Sequence, residues 1–177
     1  MSVKDKELTL IIGYGYWGKK VYKVIKSLNQ NIVIYDPLIN KKYDKENLFI
    51  ENINTIDPKN IIITTPVRFH YFYISKYLNK NKNIFVEKPI LMPNENIYLK
   101  KFKNENIFTG YVYLYNKFIL NLKKIISKKN TMPFLIKFER KNLGPIRKDV
   151  DVLYDLASHD ISIIYFLFEN HKVTIKK

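Results

Sequence analysis

Apolar positions in this chain fall into short continuous runs separated by amphipathic stretches. Leu8 to Ile12, Ile32 to Tyr35, Ile61 to Thr64 and Ile84 to Val86 are runs with little alternation. Strands buried on both faces read this way, because neither face can carry polar side chains. Between them, Trp17 to Leu28 repeats apolar residues at helical spacing through Val21, Val24, Ile25 and Leu28. Phe69 to Leu78 does so through Phe69, Phe72, Tyr73, Tyr77 and Leu78. A helix over Asn94 to Asn104 and a strand over Ile107 to Tyr113 follow. Strands alternating with helices predict a parallel sheet covered on both sides, an α/β, Rossmann-type doubly wound domain.

The pattern changes after Tyr113. Lys117 to Ser127 is amphipathic, with Phe118, Leu122, Ile125 and Ile126 on a common face. Phe134 to Glu139 alternates apolar and polar, the signature of a half-exposed strand. Asn142 to Asp151 reads as loop, Val152 to Phe168 as one long helix packing an Ile161, Ile164, Tyr165 and Phe168 stripe, and Val173 to Ile175 as the start of a strand. The expected division is 1–112 for the α/β domain and 113–177 for a partial α+β domain.

Composition narrows the chemistry. The 177 residues contain no Cys and three His, which excludes thiolate nucleophiles and disulfide frameworks and argues against a metal site. The formal charge is +15, from 31 Lys+Arg against 16 Asp+Glu. Lys, Asn, Ile and Tyr make up 87 of the residues, all with A- and T-rich codons, and only three of the basic residues are Arg. Coding bias thus accounts for the charge, and the scarcity of Arg argues against a nucleic-acid surface. No apolar stretch nears the roughly 20 residues of a membrane span. The start, MSVKDKELTLIIGYG, lacks the form of an export signal. The expectation is a soluble, cytoplasmic protein.

Three of the five glycines, Gly13, Gly15 and Gly18, form G-x-G-x-x-G between the first strand and the first helix. In that context the first glycine permits a tight turn, the second a close approach of a pyrophosphate, and the third close helix packing. The helix N-terminus adds free N–H groups and partial positive charge. Asp36 ends the second strand, where a carboxylate accepts the ribose hydroxyls of NAD and repels the 2′-phosphate of NADP. Asp36-Pro37 is equally a turn starter, and Lys41 and Lys42 would tolerate a 2′-phosphate, so NADP stays open. Lys88, in Glu87-Lys88-Pro89, follows a strand and would sit at the ligand edge of a parallel sheet; a surface lysine is the plainer alternative. Asp155 and His159 lie four apart on one helix face, where the carboxylate can orient the imidazole or merely make a local ion contact. Asp160 is the solvent-facing candidate, His70 opens a helix after Thr64-Thr65-Pro66, and His171 reads as a loop residue.

In order, IIGYGYWGKK, IIITTPVRFHYFYISKYL, NIFVEKPI, FTGYVYLYNKF and VLYDLASHDISIIYFLF resemble the motifs of the Gfo/Idh/MocA family, the glucose–fructose oxidoreductase and inositol dehydrogenase group. The resemblance implies an NAD(P)-dependent oxidoreductase acting on a sugar or polyol hydroxyl, with Lys88, Asp155 and His159 catalytic. It implies a cofactor site formed by Gly13, Tyr14, Gly15, Tyr16, Trp17, Gly18, Asp36, Thr65, Pro66, His70, Glu87 and Lys88, and a cis Lys88–Pro89 peptide. GYGYWG with DLASHDIS is most similar to members that oxidise nucleotide-linked amino sugars. Family members are longer and continue into a large antiparallel sheet, so the second domain reads as cut short. That leaves three expectations: a dehydrogenase, a nucleotide-binding module without catalysis, or a gene remnant or the first half of a split protein. The partners would be a homo-oligomer or a complementing C-terminal chain.

Overall fold

The computed structural model describes residues 7–28, 31–39, 48–129, 133, 135–141 and 150–168. Two compact units divide the chain, Met1–Gly110 and Tyr111–Lys177. The first runs β1 (Leu8–Ile12), α1 (Tyr16–Ser27), β2 (Asn31–Tyr35), β3 (Asn60–Ile63), α2 (His70–Ser75), β4 (Asn83–Val86) and β5 (Asn106–Thr109), with 3₁₀ segments at Ile53–Thr55, Val67–Phe69 and Pro93–Phe102. The second contains a 3₁₀ segment at Val112–Tyr115, then α3 (Lys117–Lys129) and α4 (Val152–Leu167).

All five strands form one parallel sheet in the order β2-β1-β3-β4-β5. Phe49 adds a single parallel bridge to Ile34 on the outer edge of β2, with Ile34 N donating to Leu48 O at 2.7 Å and Ile50 N to Ile34 O at 2.8 Å. This bridge occupies the place of the third strand in the 3-2-1-4-5-6 order of dinucleotide folds. Among the described residues, this pairing is what lies between Asp36 and Ile61 on that edge.

The continuous apolar runs are buried on both faces, as expected. Leu10, Ile12, Ile61, Ile63, Ile84 and Val86 pack on one side with Tyr73, Ile74, Tyr77 and Leu91. Ile11, Ile32, Ile34 and Ile62 pack on the other with Tyr22. In-register pairs such as Leu10↔Ile61 and Ile12↔Ile63 keep each set on its own face.

Several local expectations are corrected. On α1 the packed residues are Val21, Tyr22 and Ile25, while Val24 and Leu28 are exposed. The large Tyr22 ring rotates the buried stripe by one position. The expected helix over 69–78 shortens to α2, preceded by a 3₁₀ turn, and Phe72 is exposed. Residues 94–104 wind as 3₁₀ after Pro93, and the strand expected to reach Tyr113 stops at Thr109.

In the second unit, Ile163 and Leu167 of α4, with Phe168 just after it, form a small core with Leu114, Ile119, Leu122 and Ile126. Phe118 and Ile125 of the expected α3 face are exposed, as are Ile161 and Tyr165 of the expected α4 stripe. Apolar residues are so frequent in these helices that more than one face satisfies the spacing, and only packing selects between them. Asp151 caps α4, its Oδ1 accepting from Tyr154 N at 2.7 Å. Residues 135–139, expected as a strand, form none; the expected strand over 173–175, His171, Lys41 and Lys42 lie outside the described residues. Among the described residues no helix is long and apolar enough to cross a membrane.

Burial also sets an alkaline limit on the first unit. It pushes the Tyr77 hydroxyl up to about 12 from its usual value near 10, with Asp57 and Tyr73 adding to the shift. Below pH 10 Tyr77 is neutral in both folded and unfolded chains, and its contribution is fully present. Between 10 and 12 only the unfolded chain ionises, so stability falls as pH rises. Urea unfolding at pH 9 and pH 11.5 should show a loss that is smaller by about 2 kcal/mol in Tyr77→Phe than in the unmodified chain. Equal losses in the two proteins would refute this.

Candidate functional site

The three glycines take three different geometries, each matching a different requirement. Gly13 follows β1 with φ +93°, a left-handed value that disfavours any side chain. Its N–H donates to Tyr35 O at 2.9 Å, which continues the β1–β2 ladder into the turn. Gly15 caps the N-terminus of α1, and a Cβ built there would meet nothing within 4 Å. Gly18 is buried in the first turn of α1, where a Cβ would lie 2.1 Å from Gly13 O. The first position therefore turns, the second is open to solvent, and the third lets the helix touch the loop.

Two side chains from other strands fix this loop. Thr64, just beyond β3, donates its hydroxyl to Gly13 O at 2.7 Å. Asp36, just beyond β2, accepts from Tyr14 N at 2.7 Å through Oδ2 and from Leu38 N at 2.9 Å through Oδ1. An ionised carboxylate has about four lone-pair positions, so acceptor capacity remains after these two bonds. The contribution of Thr64 was missed in the sequence, where it read only as the end of a strand. A hydroxyl following a buried apolar run was the available signal.

The N-terminus of α1 has no side-chain cap and no acidic residue in its first turn. Its leading N–H groups and partial positive charge are thus available to an anion beside the open face of Gly15. That donor set and the space at Gly15 fit a pyrophosphate. Tyr14 turns its ring inward, edge-on to Tyr22 at 5.6 Å and to Phe49 at 5.2 Å, so only its backbone faces Asp36. Tyr16 and Trp17 are exposed, with Lys20 Nζ over both rings at 4.3 and 4.7 Å.

β1 and β3 are neighbours although β2 lies on the other side of β1, so the connections leave in opposite directions at this point of the sheet. Ligands of open parallel sheets bind in the crevice at such a switch point. Here the Gly13 turn abuts the segment after β3: a Cβ on Gly13 would lie 3.0 Å from Thr65 N. Pro66 is exposed, and His70 is buried with Nε2 at 2.8 Å from Thr65 O and Nδ1 at 3.0 Å from Pro89 O. Glu87 follows β4, its N donating to Ile63 O at 2.9 Å, and its carboxylate stands beside Gly110. Lys88 is half-buried one residue later, and the Lys88–Pro89 peptide is cis.

In the second unit, Asp155 lies in the first turn of α4 and His159 is buried one turn on. Tyr113 presents its ring edge-on to His159 at 4.9 Å, and Tyr111 does so at 6.2 Å. Burial raises the Tyr111 hydroxyl above its ordinary range, with Tyr154 contributing. Arg140 donates from Nη2 to Asp160 Oδ1 at 2.5 Å and from Nη1 to Tyr113 OH at 3.3 Å. Bonding to Asp160 raises the Arg140 guanidinium further still. Asp160, expected to face solvent, is thus largely buried against Arg140. Arg140, Tyr111 and Tyr113 were not singled out in the sequence. The rarity of Arg in a lysine-rich chain was the signal for the first; nothing distinguished two of fourteen tyrosines.

Comparison with known proteins follows the same lines. A family model described as an oxidoreductase family with an NAD-binding Rossmann fold matches residues 8–101. No curated protein matches the chain. A structure named as a myo-inositol dehydrogenase, from Sinorhizobium meliloti 1021, superposes with a TM-score of 0.71 at 19% identity over 92% of this chain and 55% of its own. The WlbA (WbpB) dehydrogenase from Thermus thermophilus, in complex with NAD and UDP-GlcNAcA, gives 0.66 at 17% identity over 92% of this chain and 63% of its own. A scyllo-inositol dehydrogenase from Lactobacillus casei gives 0.66 at 18% over 94% and 56%. These likenesses are of fold, and the chain spans between 55% and 63% of the length of the three structures. The family match covers more than half of the residues and coincides with the glycine turn, the switch point and the parallel sheet; the chain belongs to the Gfo/Idh/MocA oxidoreductase family, with an NAD-binding Rossmann fold.

Proposed function

We propose that this chain binds NAD and serves an oxidoreductase that moves hydride between a sugar or nucleotide-sugar hydroxyl and the nicotinamide. The observation that carries the reading is the loop in which Gly13 turns, Gly15 stays open, Gly18 packs and Asp36 holds the Tyr14 N–H. Gly13 to Gly18 and the first turn of α1 would hold the pyrophosphate, with Asp36 on the adenine ribose and Thr65, Pro66, Glu87 and Lys88 along the crevice. When bound, the nicotinamide supplies the hydride chemistry.

The rest of the work belongs to the chain's own side chains. His159 takes the proton of the substrate hydroxyl. Asp155, one turn earlier on α4, favours the protonated imidazole once it forms. Lys88 donates to the reacting oxygen and stabilises charge developing there. The nucleotide-sugar preference is supported by the likeness to the dehydrogenase solved with UDP-GlcNAcA, and the wider sugar class by the inositol dehydrogenases. A second reading rests on the cofactor loop alone, without the side chains of the second unit. In it the chain is a cofactor-binding module without turnover of its own. NADH formation by the purified chain, supplied with NAD and UDP-sugars or inositols, separates the two.

Three outcomes are expected. NAD should raise the melting temperature of the chain, because it binds only the folded state. Gly15→Val should abolish that rise while leaving the ligand-free melting temperature within a few degrees, since a side chain there meets open space. An undiminished NAD shift in the variant would move the site elsewhere. Calorimetric titration should show NAD binding tighter than NADP, and Asp36→Ala should bring the two affinities together while weakening NAD as the Tyr14 tie is lost. Equal affinities in the unmodified chain would remove the role of Asp36. Where turnover is measured, Lys88→Ala and His159→Ala should each lower kcat by about 10²–10⁴ with little effect on NAD affinity. An unchanged kcat in either variant would remove that residue's role.

A further inference from the structure

His70 is fully buried at 1% exposure, yet its ring is not apolar packing alone. Nε2 lies 2.8 Å from Thr65 O and Nδ1 lies 3.0 Å from Pro89 O. Both partners are backbone carbonyls, and they belong to two loops that leave different strands of the sheet. Thr65 follows β3 and touches the glycine turn, where a Cβ on Gly13 would lie 3.0 Å from its N. Pro89 follows β4 and is covalently joined to Lys88. The side chain of Thr65 does not fasten its loop, because its buried hydroxyl has no hydrogen-bond partner among the described residues. Five residues on, the chain becomes α2, which starts at His70 itself. The imidazole therefore spans the gap between the floor of the cofactor crevice and the lysine beside it. Both partners are acceptors, so the ring donates to the two together only when both of its nitrogens carry protons; a buried carbonyl left without a donor costs about 1–3 kcal/mol, and in that state the ring holds both loops at a set separation.

We infer that His70 is a positioning residue that clasps the Thr65 and Pro89 carbonyls and so holds Lys88 at a fixed place relative to the cofactor loop. The inference rests on the reading of Lys88 given above. It assigns His70 no contact with cofactor or substrate: both ring nitrogens are engaged by backbone, and the ring is closed off from solvent. Its effect would pass through the two carbonyls to the loops that carry them.

Two substitutions separate hydrogen bonding from packing. His70→Phe keeps a flat ring of similar size and removes both nitrogens. His70→Gln keeps a donor nitrogen that can serve one carbonyl but cannot reach two carbonyls on opposite sides of the ring. Amide hydrogen exchange resolved by residue is measured at Thr65, Lys88 and Ile90, with β1 and β3 amides as the internal reference. Loss of the clasp should raise exchange at these three amides about tenfold in the Phe variant and less in the Gln variant, with the reference amides unchanged. Site-resolved acylation of lysines, read by mass spectrometry with and without NAD, is the second measurement. NAD should protect Lys88 in the unmodified chain and protect it several-fold less in both variants.

Exchange at the unmodified rate in the Phe variant overturns the inference, since a packed ring then suffices. Should the Phe variant fail to fold, exchange at the unmodified rate in the Gln variant overturns it equally. Absence of NAD protection at Lys88 in the unmodified chain, with NAD still bound, fails the reading of Lys88 and takes the positioning role with it. Raised exchange together with intact NAD protection in both variants also overturns it, because the loops would then loosen without moving Lys88.

Discussion

At Gly18, α1 closes directly on the turn before it. A single carbon added to Gly18 would sit 2.1 Å from the Gly13 carbonyl, well inside contact distance. The consequences reach through the site. Because α1 begins so near β1, its N-terminal N–H groups stand at the sheet edge, where parallel strands deliver their ligands. Because Gly13 holds a positive φ, the chain can reverse quickly enough to permit that approach. The turn is then tied from three directions, by Tyr35 O, by the Thr64 hydroxyl and by Asp36 on the Tyr14 N–H. Losing the close packing would unseat the helix end and the loop together.

A parallel sheet exposes its functional edge only if its faces are covered, and here coverage comes from few elements. α1 lies on one face, and α2 with the 3₁₀ segment at Pro93–Phe102 packs against the other. Isoleucine supplies most of the sheet core, and its branched side chain suits a pleated, two-sided burial. Among the described residues the outer edge beyond β2 carries one bridge, at Phe49. Phe49 also packs edge-on against Tyr14, so this pairing supports the glycine loop from behind. Asp36 lies between these features, at the end of β2, where its carboxylate serves both the turn at Leu38 and the loop at Tyr14.

The second unit organises around polar contacts as much as around its small core. His159 has one aromatic ring edge-on at 4.9 Å and another at 6.2 Å, and the nearer one accepts a hydrogen bond from Arg140. Arg140 is in turn bound by Asp160, the residue next to His159 on α4. An Arg suits this position because its planar fork can meet a carboxylate and a phenol at once, and a lysine could not do so with the same geometry. The arrangement restricts the environment of the imidazole by residues distant in sequence, which no spacing along α4 could reveal.

The sequence by itself determined the parallel α/β class, the strands from β1 to β4 to within a residue, the glycine loop, and the family. These follow from short-range rules: a continuous apolar run must be buried on both faces, and three glycines at that spacing after a strand have one steric use. The tertiary structure alone decided which apolar positions of α1, α3 and α4 are covered. In a chain this rich in Ile, Tyr and Phe, several stripes satisfy helical spacing, and the neighbouring side chains choose among them. It alone decided that residues 135–139 join no strand among the described residues, since alternation supplies a suitable face and cannot supply a partner strand. It alone paired Asp160 with Arg140 and set His70 between two carbonyls, because a hydrogen bond between residues nineteen or twenty apart depends on where the backbone has already turned.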